Sequence, residues 1–400
     1  MAFLYRAIIK GEATYKLEEL HVLRPYYDKE AIVREIEETL ESGWTGDGGK
    51  TVEFENKWAE FTGWKYNIYV NSCTAALHLA LLALRKKFPE KTQVIVPDIT
   101  FVSTAAVVEQ TGLELILCDI NESLTIDIEK LKKKINEKTL AVFFVGVGGN
   151  DKNLKQVEEI CSEQKVELII DAAHMGGSKL SDGRELSTVN SAFCCYSFQA
   201  VKNLGIADSG MISFNDEDFT SDVKKYRWLG INQTTYERTV SKDAVKSYKW
   251  EYEIDRIGYK YNGNALIAAC CLGVMKNLTS DNQHRRNIRE WYSQELQDLA
   301  TVNFIKHSNE EYTSGHLAQV LIKSIETQHE RNQIIEKLNS EKIYPGVHYR
   351  PLSMTQYYKS KGMDCQDSRR IGSKIISLPC HMGITHKDVV RVANALKTYV

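Results

Sequence analysis

Apolar residues recur along this chain in two alternating rhythms. Over Lys29–Ser42, Ile32, Ile36 and Leu40 fall four apart, which lines one face of a helix, and Gly43 ends the run. Residues 68–70 read as a short strand and 74–85 as a strongly apolar helix. A buried strand is predicted at 93–96, stopped by Pro97, and a helix at 104–110. Further short β-rich runs at 113–118, 140–145 and 166–170 are separated by helical segments. This βαβα rhythm predicts an α/β fold, with a mostly parallel sheet covered by helices on both faces. Ligands of such sheets bind beyond the carboxyl ends of the strands, where Asp171 and Ser72-Cys73-Thr74 fall.

The rhythm changes in the last third. Residues 265–274 form a helix apolar on most faces, as suits a core or a subunit contact. A charged helix at 282–299, with Arg285, Arg286, Arg289 and Glu290, leads out of the first domain. A strand at 318–325 and helices at 329–341 and 387–399 then predict a smaller α+β domain. The expected division is a large domain over 1–280, including the N-terminal segment, and a small C-terminal domain over 281–400.

Composition narrows the class. With 400 residues, 43% hydrophobic and 26% charged, and only 6 Pro, the chain reads as a two-domain globular enzyme. A net charge of −2 provides no general attraction to nucleic acid or to anionic membranes. The nine cysteines include the adjacent pairs Cys194-Cys195 and Cys270-Cys271 and lack CxxC spacing, so neither a metal site nor a disulfide framework is expected. Free thiols suit the cytoplasm. Residues 1–16 mix apolar and charged side chains, unlike a signal peptide, and runs such as 141–147 are too short to span a membrane.

The chemistry centres on Asp171-Ala172-Ala173-His174 and on Lys202, set in Ser197-Phe198-Gln199-Ala200-Val201-Lys202-Asn203. A carboxylate at a strand end and one lysine in a small-residue loop are what pyridoxal phosphate requires. The amine holds the cofactor aldehyde as a Schiff base, and the carboxylate keeps the pyridine nitrogen protonated. Taken singly, each residue also has a plainer reading. Asp171 could cap a strand, Thr74 could cap a helix, Phe101 could belong to the core, and His174 and Lys202 could be ordinary side chains.

Several further blocks join these. They are Ser42-Gly43-Trp44-Thr45-Gly46, Asn71-Ser72-Cys73-Thr74-Ala75-Ala76-Leu77-His78, Val96-Pro97-Asp98-Ile99-Thr100-Phe101, Gly258-Tyr259-Lys260-Tyr261-Asn262, Gly346-Val347-His348-Tyr349-Arg350-Pro351 and Ser377-Leu378-Pro379-Cys380-His381. In this order the chain resembles the DegT/DnrJ/EryC1/StrS sugar aminotransferases, of the aspartate-aminotransferase-like fold. The resemblance implies a homodimer that moves an amino group, with glutamate as donor, to a keto sugar carried on a nucleotide. The cofactor would alternate between pyridoxal and pyridoxamine phosphate.

The resemblance also implies roles. Lys202 would be the Schiff-base lysine and the base of the proton shift, and Asp171 the partner of the pyridinium nitrogen. His174 would sit near the ring hydroxyl, with Phe101 stacked on the ring. Thr74, the Ala75 amide and Ser197 would hold the phosphate, joined by Asn262 from the partner subunit. Trp44, Thr45, Lys179, His348 and Tyr349 are the candidate substrate contacts.

Departures from the family pattern are visible. Asp208-Ser209-Gly210 stands where Glu-Gly-Gly is usual, and 145–149 lacks a histidine often found there. Lys260 and Asn262 replace the usual asparagine and arginine, so either could meet the phosphate. Two other readings differ in class: a pyridoxamine-dependent sugar dehydratase, whose relatives replace the lysine that Lys202 retains, and a non-catalytic relative.

Overall fold

The computed structural model describes residues 19–240 and 251–400. The segment 1–16, read above as no signal peptide, lies outside the described residues. A seven-stranded sheet forms the first layer, in the order β2 (Tyr66–Val70), β8 (Gly210–Phe214), β7 (Phe193–Ser197), β6 (Glu167–Asp171), β5 (Thr139–Val145), β3 (Gln93–Pro97), β4 (Glu114–Cys118). Pairings from β7 across to β4 are parallel, and β8 runs antiparallel to both β7 and β2. Two reversals return β2 to the direction of β6, so both carboxyl ends open on the same edge.

The strands alternate faces as the pleat demands. Val142, Phe144, Leu168, Ile170, Cys194 and Tyr196 join one apolar cluster, and Phe143, Ile169, Phe193 and Cys195 join the other. Gly49–Thr62 and Leu154–Gln164 cover the first face, while Cys73–Lys87 and Val102–Gln110 cover the second. The neighbours Cys194 and Cys195 therefore point to opposite sides of the sheet, and all nine cysteines are free and buried.

The apolar helix is Ala265–Met275, packed against Lys29–Ser42 and Gly49–Thr62. Its Gly273 approaches the Ile32 backbone so closely that a Cβ would meet it at 3.0 Å. The helix is thus buried within its own chain, and its apolarity requires no subunit contact.

Residues 278–296 form the long helix, starting earlier than expected, and Ile288, Tyr292 and Leu296 enter a separate core. There β10 (Ala318–Ile322) lies between β9 (Val302–Phe304) and β12 (Ile375–Leu378), all antiparallel, under helices Gln328–Ser340 and His386–Tyr399. Leu20 enters this core too, because β1 (Leu20–His21) pairs with β11 (Ile343–Tyr344). Among the described residues no helix is long and apolar enough to cross a membrane.

The sequence reading missed β7 and β8. Both are short and buried apart from Ser197, with cysteine, serine and glycine among them, so period-two alternation is hard to see.

Candidate functional site

At the carboxyl edge of the sheet lies a cavity of about 480 Å³, lined by loops that follow β2, β3, β6 and β7 and by residues 316, 348 and 349. Of the residues expected from sequence, it gathers Thr74, Phe101, Asp171, His174, Ser197, Lys202, His348 and Tyr349.

Asp171 is the last residue of β6. By alternation it continues the face of Ile169, on which helix Val102–Gln110 packs, and there it meets Thr104. The Thr104 hydroxyl donates to Asp171 Oδ2 at 2.7 Å, and the Ala173 amide donates to Oδ1 at 3.1 Å. Both partners are neutral. Burial raises the carboxyl above its usual range against these two hydrogen bonds. None of the blocks quoted above includes Thr104, whose part in the site comes from the helix face that packing turns toward Asp171.

Lys202 sits in a tight turn closed by its amide donating to Gln199 O at 2.7 Å. Its amine is held down to about 8, chiefly by burial, against the opposing pull of Asp171 and Cys73. His174 Nε2 lies 2.8 Å from Lys202 Nζ and 3.1 Å from the Tyr349 hydroxyl, and its Nδ1 accepts the Gly148 amide at 3.2 Å. Burial, then the nearby lysine and the rings of His316 and His348, keep His174 well below the usual histidine range. His316, which no motif marked, lies tilted against His174 with ring centres 4.3 Å apart, and neither of its buried ring nitrogens has a partner among the described residues. His348 bonds through Nδ1 to Ser377 Oγ at 2.9 Å and is pushed down to about 4, mainly by burial. Burial raises the Tyr349 hydroxyl well above its ordinary value. Among the described residues no group of three His, Cys, Asp or Glu could hold a metal ion.

Ser72 opens helix Cys73–Lys87 and accepts the Ala75 amide at 3.1 Å. The first amides of a helix have no partner within it, which makes this end a receptor for an anion. Thr74 and Ser197 face the same cavity. Phe101 is 58% exposed with its ring 6.1 Å from that of Tyr349, so it lies open at the cavity and outside the core. Ser209 lies outside the left-handed backbone region, so the serine at a usual glycine position adds no strain, whereas a Cβ at Gly210 would strike the Cys73 amide.

The other expected residues lie outside this cavity. The Ala75 amide is occupied by Ser72, and the Trp44 ring packs edge-on against Tyr236. Thr45 is exposed, and Lys179 pairs with Glu185 at 2.7 Å beside a different cavity. Asn262 is bridged to Val70 and accepts the Lys260 amine at 3.0 Å, while that amine lies 3.6 Å from the centre of the Trp228 ring.

Known proteins match this chain over nearly its whole length. The model of the DegT/DnrJ/EryC1/StrS aminotransferase family matches residues 26–397. The uncharacterized protein MJ1066 of Methanocaldococcus jannaschii is 31% identical over 94% of this chain and 96% of its own. The spore coat polysaccharide biosynthesis protein SpsC of Bacillus subtilis is 30% identical over 94% and 96%. Among solved structures, Helicobacter pylori PseC, an aminotransferase of pseudoaminic acid biosynthesis, superposes with a TM-score of 0.84 at 25% identity, covering 95% of this chain and 99% of that one. The PMP-form of Spr1654 from Streptococcus pneumoniae gives 0.85 at 25% identity, covering 94% and 98%.

Proposed function

The chain belongs to the DegT/DnrJ/EryC1/StrS aminotransferase family and is a pyridoxal-phosphate-dependent sugar aminotransferase, and we propose that it carries an amino group from glutamate to a nucleotide-linked keto sugar. The observation that carries the site assignment is the convergence of Asp171, Lys202 and the opening of helix Cys73–Lys87 on one cavity. The residues present fit the cofactor. A buried carboxylate with only neutral partners calls for a cation, and a pyridinium nitrogen supplies one. The helix opening with Thr74 and Ser197 suits a phosphate.

Bound there, pyridoxal phosphate supplies an aldehyde to carry the amino group and a ring to take up electrons. Lys202 would hold the aldehyde and afterwards the migrating proton, for which an amine near 8 is well matched. Asp171 would orient the ring and keep its nitrogen charged. Phe101 covers one face, and His348 and Tyr349 border the space left for substrate. Lys202 also argues against the dehydratase reading. The biosynthetic roles of PseC and SpsC support an amino sugar bound for a surface polysaccharide, and nine free thiols suit a cytoplasmic enzyme.

The same reading gives a homodimer with shared sites. Asn262 and Lys260 stand clear of their own cavity, and Ile257 beside them is 85% exposed. That arrangement suits a loop that completes a partner's phosphate site. Co-expressing Lys202→Ala and Asn262→Asp chains, each inactive alone, is expected to restore part of the activity, because one hybrid site carries neither lesion. No rescue in a verified mixed dimer would remove the shared site. For the reaction itself, glutamate should bleach the absorbance of the lysine-bound cofactor. A mass-spectrometric panel of nucleotide-linked keto sugars should then show one amine product, and an unbleached spectrum would sink the assignment.

A further inference from the structure

The histidine beside the lysine carries more information than its proximity. Gly148 is a backbone donor, and its N–H points at His174 Nδ1 from 3.2 Å. An Nδ1 that accepts cannot bear a proton, so the neutral ring must carry its hydrogen on Nε2. That nitrogen lies 2.8 Å from Lys202 Nζ. With the hydrogen on Nε2 there is no lone pair for an ammonium to donate to. The lysine contact is a hydrogen bond when the histidine donates and a neutral amine accepts, and at 2.8 Å the amine lies closer to that hydrogen's nitrogen than the Tyr349 oxygen at 3.1 Å.

We infer that His174 is a tautomer-fixed positioning residue: the Gly148 amide holds its proton on Nε2, and that N–H favours the free-amine form of Lys202 over the ammonium. The inference deepens the proposed function and rests on Lys202 being the cofactor lysine. The free amine's lone pair is the one that condenses with an aldehyde, so the device enlarges the share of lysine that is ready before the cofactor arrives. It also gives a reason for the unusual 145–149 segment. Gly148 has φ +73°, a backbone conformation that favours glycine, and this turn aims its amide at the ring.

The surroundings agree. The titratable groups that line the cavity with Lys202 are Asp171 from β6, Cys73 from the helix opening, Asp208 before β8, His174, His316, His348 and Tyr349. Asp171 and Cys73 favour the ammonium, yet the amine is held down to about 8, with burial the main cause. His316, kept neutral chiefly by burial, backs the His174 ring without adding charge.

The test reads the amine directly. Competitive acylation of the full-length cofactor-free protein, with Lys202 followed by mass spectrometry across pH, gives the pKa of that one amine. His174→Phe keeps a ring and removes the N–H, and the Lys202 pKa is expected to rise by about one unit, the worth of one hydrogen bond. His174→Gln places an amide N–H near the Nε2 position, and its lysine should titrate near the wild-type value. Nitrogen-15 spectra of histidine-labelled wild-type protein should show His174 as the neutral Nε2–H tautomer.

An unchanged lysine pKa in His174→Phe, or an Nδ1–H or doubly protonated His174, would overturn the inference. Should His174→Phe fail to fold, the wild-type tautomer and the Gln variant decide alone: a Gln variant whose lysine rises as well counts against it. These readouts need no substrate. An enzyme that transaminates sugars without this tautomer defeats the inference alone, and one that never transaminates defeats the function alone.

Discussion

Arg289 in the C-terminal core and Lys202 in the strand-edge cavity are both withdrawn from water, but their surroundings differ. Arg289 is 1% exposed and each nitrogen of its guanidinium donates. It donates to both Glu310 oxygens at 2.8 and 2.7 Å, to Ile305 O at 2.9 Å, and to Leu317 O. Burial alone would raise Glu310, yet the arginine holds it down to about 2. Lys202 has no such partner: its close contact is a histidine nitrogen, and burial pulls its proton affinity down. A charge that serves the fold is surrounded until each of its nitrogens donates. A charge that serves chemistry is left short of partners, and substrate or cofactor completes it.

The contrast can be broken from either side. Lys202→Ala is expected to abolish turnover while far-UV circular dichroism and melting remain folded, since losing the proton-moving amine alone costs ~10²–10⁴-fold. Near-wild-type rates would show that Lys202 is an ordinary buried lysine. Arg289→Met should act on the other column, lowering stability by about 3–5 kcal/mol in denaturant unfolding because Glu310 and two carbonyls lose their partner. The fraction that folds should still bind cofactor.

Asp171→Asn should retain cofactor absorbance and lose about 10²–10³-fold in kcat, the scale for removing one preorganised charged group. A variant at the parent rate would reduce Asp171 to a strand cap. The smallest effect sharpens the comparison most. Lys202→Met should stabilise the cofactor-free protein by up to about 3 kcal/mol, the equivalent of an amine lowered from 10.5 to about 8. The native amine releases its proton at lower pH than the unfolded one, so between 8 and 10.5 the unfolded chain binds more protons and wild-type stability rises with pH. The advantage of Met should therefore be full below pH 8 and vanish towards 10.5. A gain that does not change with pH would mean that packing, not charge, sets it.

How much of this was legible in the sequence depends on what each residue answers to. Asp171 and Lys202 follow from chemistry that restricts residue type and order, and the parallel sheet follows from apolar periodicity. Thr104 and His316 answer to three-dimensional closeness alone. Thr104 is one hydroxyl on a helix whose face is set by packing, and His316 arrives from the loop before β10 with no local pattern around it. Trp44, Thr45 and Lys179 show the converse, since motif membership placed them near the substrate and the single chain does not bring them to the cavity. The buried helix Ala265–Met275 illustrates a third limit: uniform apolarity states that a surface is covered, not what covers it.

The wall around the lysine has a consequence for how the enzyme comes into being. The groups that touch or face its amine run from Cys73 at the opening of one helix to Tyr349 beyond β11, and Leu23 beside β1 closes the same space. Contacts so distant in sequence form late, since loops must close before they are rewarded. During translation the sheet and its lysine emerge well before Tyr349, and domains tend to fold in the order they are made. A nascent chain can thus carry the reactive amine without the enclosure that tunes it. Selectivity for one aldehyde over the many in a cell is then a property of the finished polypeptide.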